Sequence, residues 1–456
     1  MAVPQANSAQ LYDIEEIIDR VGLGPFQRRL LAICGLSWAA DAAEVLIISF
    51  ALPAIRQEWG LSPAEAGLIV TATFLGMLAG AWFWGTISDY IGRRTGFVLT
   101  VLIFSVFGTL AAFAPSPQAL AILRALTGFG LGGALPLDFS IFAEFLPRQN
   151  RGRYLVILES FWALGTIIGA GLAWILVPAY GWRPLLATSA VAALLVFWIR
   201  LKVPESPRFL ATHGRLDEAW AILGQVAQTN GRTLPPGRLR PLPWRPKVTV
   251  AALWRPEFWR VTLMLWVAWF CISLAYYGVF SWLPQLFVQR GFAFLQTYQY
   301  VFILALAQLP GYFSAAYLVE RWGRRLTLAT YLVASGIFAY LFAVVVGDVW
   351  IVAAAVLMSF FSLGAWGALY AYTPELYPTE IRTTGMGWAS GMTRIAGSIA
   401  PTLGGVLLQY AANIVVPLSV WTAAFIVGGV VVALLGVETR GKPLADTIEA
   451  VPKPAA

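Results

Sequence analysis

The chain has 456 residues, 59% hydrophobic and 12% charged, with a formal net charge of +8. An ordinary soluble domain carries about 25% charged residues, so this composition excludes one and points to lipid as the solvent. The basic excess does not mark a nucleic-acid binder, because Lys and Arg fall in turns between apolar runs, and Cys34 and Cys271, both inside apolar runs, exclude a disulfide framework or a thiolate metal site.

Met1 to Asp19 is polar and acidic and lacks the pattern of a signal peptide. Crossing ~30 Å of hydrocarbon takes about 20 apolar residues. Such runs predict spans near 29–55, 65–87, 95–114, 118–146, 154–178 and 184–202, then 259–289, 297–320, 326–346, 350–374, 384–409 and 415–437. The expected fold is all-α and integral to the membrane, with twelve transmembrane helices in two pseudo-symmetric six-helix bundles. The expected division is a cytoplasmic segment 1–28, a bundle 29–202, a cytoplasmic linker 203–258, a bundle 259–437 and a cytoplasmic tail 438–456. Within the linker, Leu216 to Ala227 reads as a short amphipathic helix opened by Asp217 and Glu218. Thr233 to Pro246 reads as an extended stretch that Arg238, Arg240, Arg245 and Lys247 hold at an anionic leaflet, or as an inert connector.

The two bundles are related by a repeat. Gly85 to Arg94 returns as Ala316 to Arg325, so that Asp89, Gly92, Arg93 and Arg94 correspond to Glu320, Gly323, Arg324 and Arg325. Glu144, Pro147 and Arg151 return as Glu375, Pro378 and Arg382. One constant offset across two separate motifs marks a duplicated half. The turns on the side of these motifs hold Arg93, Arg94, Arg148, Arg151, Arg153, Arg321, Arg324, Arg325, Arg382, Arg440 and Lys442, whereas the opposite set holds only Arg56, Arg183 and Arg290. The first set is therefore expected in the cytoplasm with both termini.

Those motifs carry a resemblance. Gly85 to Arg94, Leu123 to Gly130 and Pro204 to Arg208 resemble segments of the major facilitator superfamily. Asp41 to Glu44, Ala143 to Pro147, Phe161 to Gly165 and Gly391 to Arg394 with Pro401 are similar to its branch of synaptic-vesicle-glycoprotein-related proteins, bacterial niacin permeases and organic ion transporters. The chain departs from the superfamily pattern at Tyr90, which follows Asp89 where a basic residue is common, and at Thr127, where Gln is usual. The resemblance implies a cell-membrane transporter working by alternating access, with no cofactor.

Ionisable residues inside a membrane default to functional candidates. Asp41 and Glu44 lie three apart on the first span, at depths of about 18 and 22 Å. Arg124 enters from the other side and reaches about 21 Å. It can pair with either acid, and two carboxylates sharing one guanidinium titrate as a coupled set that carries a proton; a permanent structural pair is the alternative. Asp138 and Glu159, on the order of 10 Å from the cytoplasmic face, are expected to line the cavity's inner mouth or to pair with a base such as Arg153. Glu144 is expected to brace Arg93 or Arg151. Arg394, about 16 Å into the eleventh span, is the expected substrate residue: its fork of donors suits a carboxylate, and in similar organic-anion transporters an Arg there goes with anionic substrates. Pairing with an acid of the other half is the alternative.

By the resemblance, Trp266, Trp269, Tyr276, Tyr277, Gln285, Trp366, Tyr370 and Trp388 face the cavity and would stack on a flat aromatic acid. For any single ring, Trp162 and Tyr298 included, packing or lipid contact is the ordinary alternative. The Gly128, Gly130, Gly132, Gly133 and Gly165, Gly169, Gly171 series read as faces for close helix approach. Asp89, Gly92, Arg93, Arg94, Glu144, Arg151, Glu320, Arg324, Arg325, Glu375 and Arg382 are the expected cytoplasmic gate, with Asp89 closing an ion-pair latch between the halves. The expected function is proton-coupled symport of a small organic anion by a monomer. The alternatives are an uncoupled facilitator or exporter of organic ions or sugar-like solutes, and a receptor or scaffold that has lost transport. With one His, in the linker, and no phosphate-binding glycine loop, an enzyme or ATP-driven pump is not expected.

Overall fold

A backbone in hydrocarbon must satisfy its own N–H and C=O groups, and an apolar run does so by becoming a helix. The computed structural model, which describes residues 10–241, 249–411 and 413–440, is built almost wholly of helices. Arg245, Lys247 and Lys442 lie outside the described residues. In chain order the helices are α1 (Ile14–Val21), α2 (Pro25–Trp59), α3 (Pro63–Ile91), α4 (Arg93–Ala111), α5 (Pro117–Ala143), α6 (Arg151–Tyr180), α7 (Trp182–Ala187), α8 (Ser189–Lys202), α9 (Pro207–Thr212), α10 (Leu216–Thr229), α11 (Trp259–Phe280), α12 (Leu283–Gln289), α13 (Phe294–Trp322), α14 (Arg324–Val344), α15 (Asp348–Tyr372), α16 (Thr379–Tyr410) and α17 (Val415–Leu435). Among the described residues, ten are long and apolar enough to cross a membrane. The sixth span is divided between α7 and α8, and α16 is the eleventh.

The packing repeats as the sequence repeats. Span two lies on span four in both halves (α3 on α5, α13 on α15), and span one on span five (α2 on α6, α11 on α16). Span three lies on span six in the same way (α4 on α8, α14 on α17). Between the halves α3 meets α16 and α6 meets α13, again a symmetric pair.

Glycines set the closest approaches. A Cβ on Gly76 would run into the Ala125 carbonyl, one on Gly80 into that of Phe129, one on Gly128 into that of Thr73, and one on Gly132 into that of Met77. Two small-residue ladders, four residues apart on each helix, thus lock α3 against α5. Gly128→Val should cost about 1–3 kcal/mol through overpacking, read as a lower melting temperature in detergent.

The two ends of the molecule differ. At the end remote from the Gly92 and Gly323 turns the halves are sealed. Thr71 Oγ1 lies 2.8 Å from Thr402 Oγ1, the Tyr298 hydroxyl donates to the Phe50 carbonyl at 2.8 Å, and a Cβ on Gly405 would run into the Pro63 carbonyl. Toward the turn end a ring stack bridges the halves, Phe139 on Tyr370, at 6.4 Å.

Three features depart from the expected outline. The sixth span is two helices, joined at Thr188. The seventh stops at Phe280, and Pro284 begins the separate α12. The linker, with α10 where amphipathicity placed it, is tied back to the bundle: Arg238–Leu239 pairs as a short parallel strand with Leu11–Tyr12. The N-terminal α1 is capped by Asp13, which accepts from Glu15 N at 2.8 Å. Glu15 then gathers Arg148, Arg151 and Arg208.

Candidate functional site

The duplicated turns form two clamps. Gly92 and Gly323 have φ of +98° and +95°, a region glycine enters without penalty. A Cβ at either would strike the carboxylate of Glu205 or Glu438. Glu205 accepts the backbone N–H groups of Arg93 and Arg94 at 2.9 and 3.1 Å, and Glu438 those of Arg324 and Arg325 at 3.0 and 3.2 Å. Each carboxylate thus caps the positive end of a third span.

Arg93 pairs with Asp89 at 2.6 Å and with Glu144 at 3.8 Å, and Glu144 takes the Ser206 hydroxyl. In the second half Arg324 pairs with Glu320 and grips Glu375 through two nitrogens at 2.9 and 3.0 Å, while Glu375 takes the Thr439 hydroxyl at 2.6 Å. Each clamp holds an ion pair within its own half, Asp89 with Arg93 in the first and Glu320 with Arg324 in the second. Arg151 is held by Glu15 and the Leu146 carbonyl, Arg382 by the carbonyls of Pro374 and Tyr377, and the Arg325 side chain by the Ala433 carbonyl. Sequence reasoning missed Glu438 and Thr439 as copies of Glu205 and Ser206. The signal was Val-Glu-Thr-Arg440 echoing Pro-Glu-Ser-Pro-Arg208.

At mid-depth Arg124 is completely buried and belongs to Glu44. One guanidinium nitrogen pairs with the Glu44 carboxylate, the other donates to the Glu44 carbonyl at 2.9 Å, and Nε approaches Thr73 Oγ1 at 3.4 Å. Ser189 donates to the second carboxylate oxygen. Arg124 is therefore not shared with Asp41, because its donors are spoken for along one edge. Asp41 lies a turn away and is within electrostatic reach of Asp138, Arg394 and Glu44. Both oxygens of Asp41 and both of Asp138 are buried without a hydrogen-bond partner among the described residues; Ser37 faces Asp138 without reaching hydrogen-bond geometry. Neither Asp138 nor Glu159 pairs with Arg153 among the described residues.

Beside these acids lies a cavity of about 460 Å³ of space between atoms, counting the part that opens to solvent. The first half contributes Trp38, Glu159 and Trp162; the second contributes Tyr276, Tyr277, Leu363, Trp366, Tyr370, Ser390, Thr393 and Arg394. Arg394 is 8% exposed, and among the described residues the one hydrogen-bond contact of its guanidinium is Met77 Sδ at 3.9 Å. The alternative for Arg394, a pair with an acid of the other half, is not made within ion-pair distance among the described residues. Trp38 packs on Trp162 at 5.1 Å, and Trp366 lies edge-on to Tyr276 at 6.0 Å. The walls are therefore rings around one guanidinium.

Five of the expected substrate residues line this cavity and four do not. Trp269 stands behind it, donating to Thr373 Oγ1 at 3.0 Å and packing edge-on against Trp366 and Tyr370. Trp266 and Trp388 stack on each other at 5.9 Å, with Trp388 47% exposed. Six residues at ~100° each put Trp388 about 120° around α16 from Arg394. Gln285 lies on α12, beyond the break in the seventh span. Glu159, expected at the mouth, is in the cavity wall. Trp38, Leu363, Ser390 and Thr393 were missed, and nothing in the sequence separates them from other residues on the same helices.

Residues 39–450 match the family described as sugar (and other) transporters. The chain is similar to the niacin transporter NiaP of Acinetobacter baylyi, 40% identical over 95% of this chain and 99% of that protein. It is also similar to organic cation/carnitine transporter 7 of Arabidopsis thaliana, 34% identical over 97% of this chain and 98% of that one. Among solved structures, the partially occluded inward-open conformation of the xylose transporter XylE from E. coli superposes with a TM-score of 0.76 over 92% of this chain and all of that one. At 16% identity that is a likeness of fold. With its repeat, its twelve spans and these relatives, the chain belongs to the sugar (and other) transporter family of the major facilitator superfamily, as a multi-pass membrane transporter and not an enzyme.

Proposed function

We propose that the protein carries a small aromatic monocarboxylate across the cell membrane together with a proton, as a monomer working by alternating access. The observation that carries this reading is Arg394: a buried guanidinium in a ring-walled cavity, with no carboxylate bound to it among the described residues. An unpaired buried charge is costly, and a flat carboxylate would answer both the guanidinium and the rings. The name of the Acinetobacter relative, a niacin transporter, agrees with such a cargo.

Proton coupling follows from the neighbouring acids. Asp41 and the substrate compete for the charge of Arg394. A proton held between Asp41 and Asp138 relieves two like charges in a dry site and leaves Arg394 to the substrate. Proton and anion would then bind together and leave together. Glu44 and Arg124, expected to take part in this exchange, are on this reading a fixed pair beside it. With the basic turn end and both termini in the cytoplasm, the sealed end faces outward and the present conformation faces inward.

Proteoliposome uptake of labelled pyridine-3-carboxylate, with and without an acid-outside gradient, tests the reading. Wild-type uptake should rise with the gradient. Asp41→Asn should abolish that response while keeping exchange of internal for external substrate. A second reading, organic-cation transport, is favoured by Glu159 among the rings and by the name of the Arabidopsis relative. Cation uptake that survives Arg394→Ala would establish it in place of the first.

A further inference from the structure

The cavity wall carries one acidic and one basic side chain, one from each half. Arg394 comes from the second half, on α16. Glu159 comes from the first, on α6; it is 5% exposed and its Oε2 lacks a hydrogen-bond partner among the described residues. Trp38 Nε1 approaches Glu159 without hydrogen-bond geometry and is likewise unpartnered. Trp366 Nε1 and the Tyr276 hydroxyl, in the same wall, are unpartnered too. Buried polar groups in native proteins are nearly always bonded, and an orphan is costly. Four around one cavity describe a ligand with polar atoms at more than one edge.

A plain aromatic carboxylate satisfies Arg394 and leaves Glu159 unanswered. A ring nitrogen at the far edge answers it, because one proton then lies between nitrogen and carboxyl, as N–H···O or N···H–O. We infer that Glu159 is a specificity-determining residue that selects aromatic carboxylates bearing a ring nitrogen over their all-carbon analogues. The inference rests on the reading of Arg394 as the carboxylate site. It has a mechanical consequence: a two-ended substrate ties Glu159 of one half to Arg394 of the other, and a one-ended substrate does not.

Equilibrium binding of pyridine-3-carboxylate and of benzoate to the purified full-length protein tests it. The wild type should favour the pyridine by at least about tenfold, the cost of an unanswered buried polar group. Glu159→Leu should bring the ratio within about twofold, with benzoate held as well as before. Glu159→Gln, isosteric and able to donate an N–H to the nitrogen, should retain a preference of about threefold or more and so guards against a misfolded leucine variant. Arg394→Ala should weaken both ligands. Equal wild-type affinities, or an unchanged ratio in Glu159→Leu, would overturn the role of Glu159 while the Arg394 dependence still stood. If the wild type binds neither ligand, both readings fall.

Discussion

Arg394→Ala should reduce uptake of an aromatic carboxylate by roughly 10- to 150-fold, the equivalent of one charge-assisted hydrogen-bonding contact of ~1.5–3 kcal/mol. Arg394→Lys should recover only part of this, since an ammonium keeps the charge and loses the planar fork. The informative readout is stability. A guanidinium that serves a structural ion pair leaves a buried acid behind when removed, at about 3–5 kcal/mol. Arg394 has no such partner within ion-pair distance among the described residues, where the one hydrogen-bond contact of its guanidinium is the Met77 thioether. The alanine variant should therefore melt in detergent at or above the wild-type temperature while failing to transport. A variant that loses both stability and uptake would return Arg394 to a structural role.

What could be read from the chain alone followed from how local each feature is. The repeat was legible because Gly92 and Gly323 must be glycine for backbone reasons, and Asp89 with Arg93 and Glu320 with Arg324 pair across a turn of only four residues. Glu205 and Glu438 close the same clamps from more than a hundred residues away, with a slip of two residues in the offset (438 − 205 = 233 against 231), so a fixed-spacing search passes over them. Depth placed Asp41, Glu44 and Arg124 at one level, but rotation about the helix decides which acid meets the arginine. That depends on where α3, α5 and α8 lie, as the contacts of Arg124 with Thr73 and of Ser189 with Glu44 show. The cavity wall was least legible. With 20 tryptophans in the chain, ring content alone selects none. Trp38 and Trp162 enter the site, and Trp266 and Trp388 miss it, through the crossing of α2 with α6 and the face that α11 and α16 turn inward. The helix α1 escaped notice because eight residues offer too few turns for periodicity to stand out.

Glu44→Ala should be among the most damaging single changes in the chain, destabilising it by about 3–5 kcal/mol. It would strip Arg124, at 0% exposure, of its carboxylate and leave the Ser189 hydroxyl without its acceptor. The expected result is little folded protein on gel filtration, whatever the substrate. The double variant Glu44→Leu with Arg124→Met removes both charges and restores packing volume, and replacement of a buried pair by apolar residues is often neutral or stabilising. It should therefore recover most of the lost melting temperature. Its transport then separates two roles for the pair. If Asp41 and Asp138 carry the proton, the double variant should still accumulate substrate in response to an acid-outside gradient. If it folds, exchanges substrate and ignores the gradient, the proton passes through Glu44 and Arg124, and the fixed-pair reading of this site is wrong.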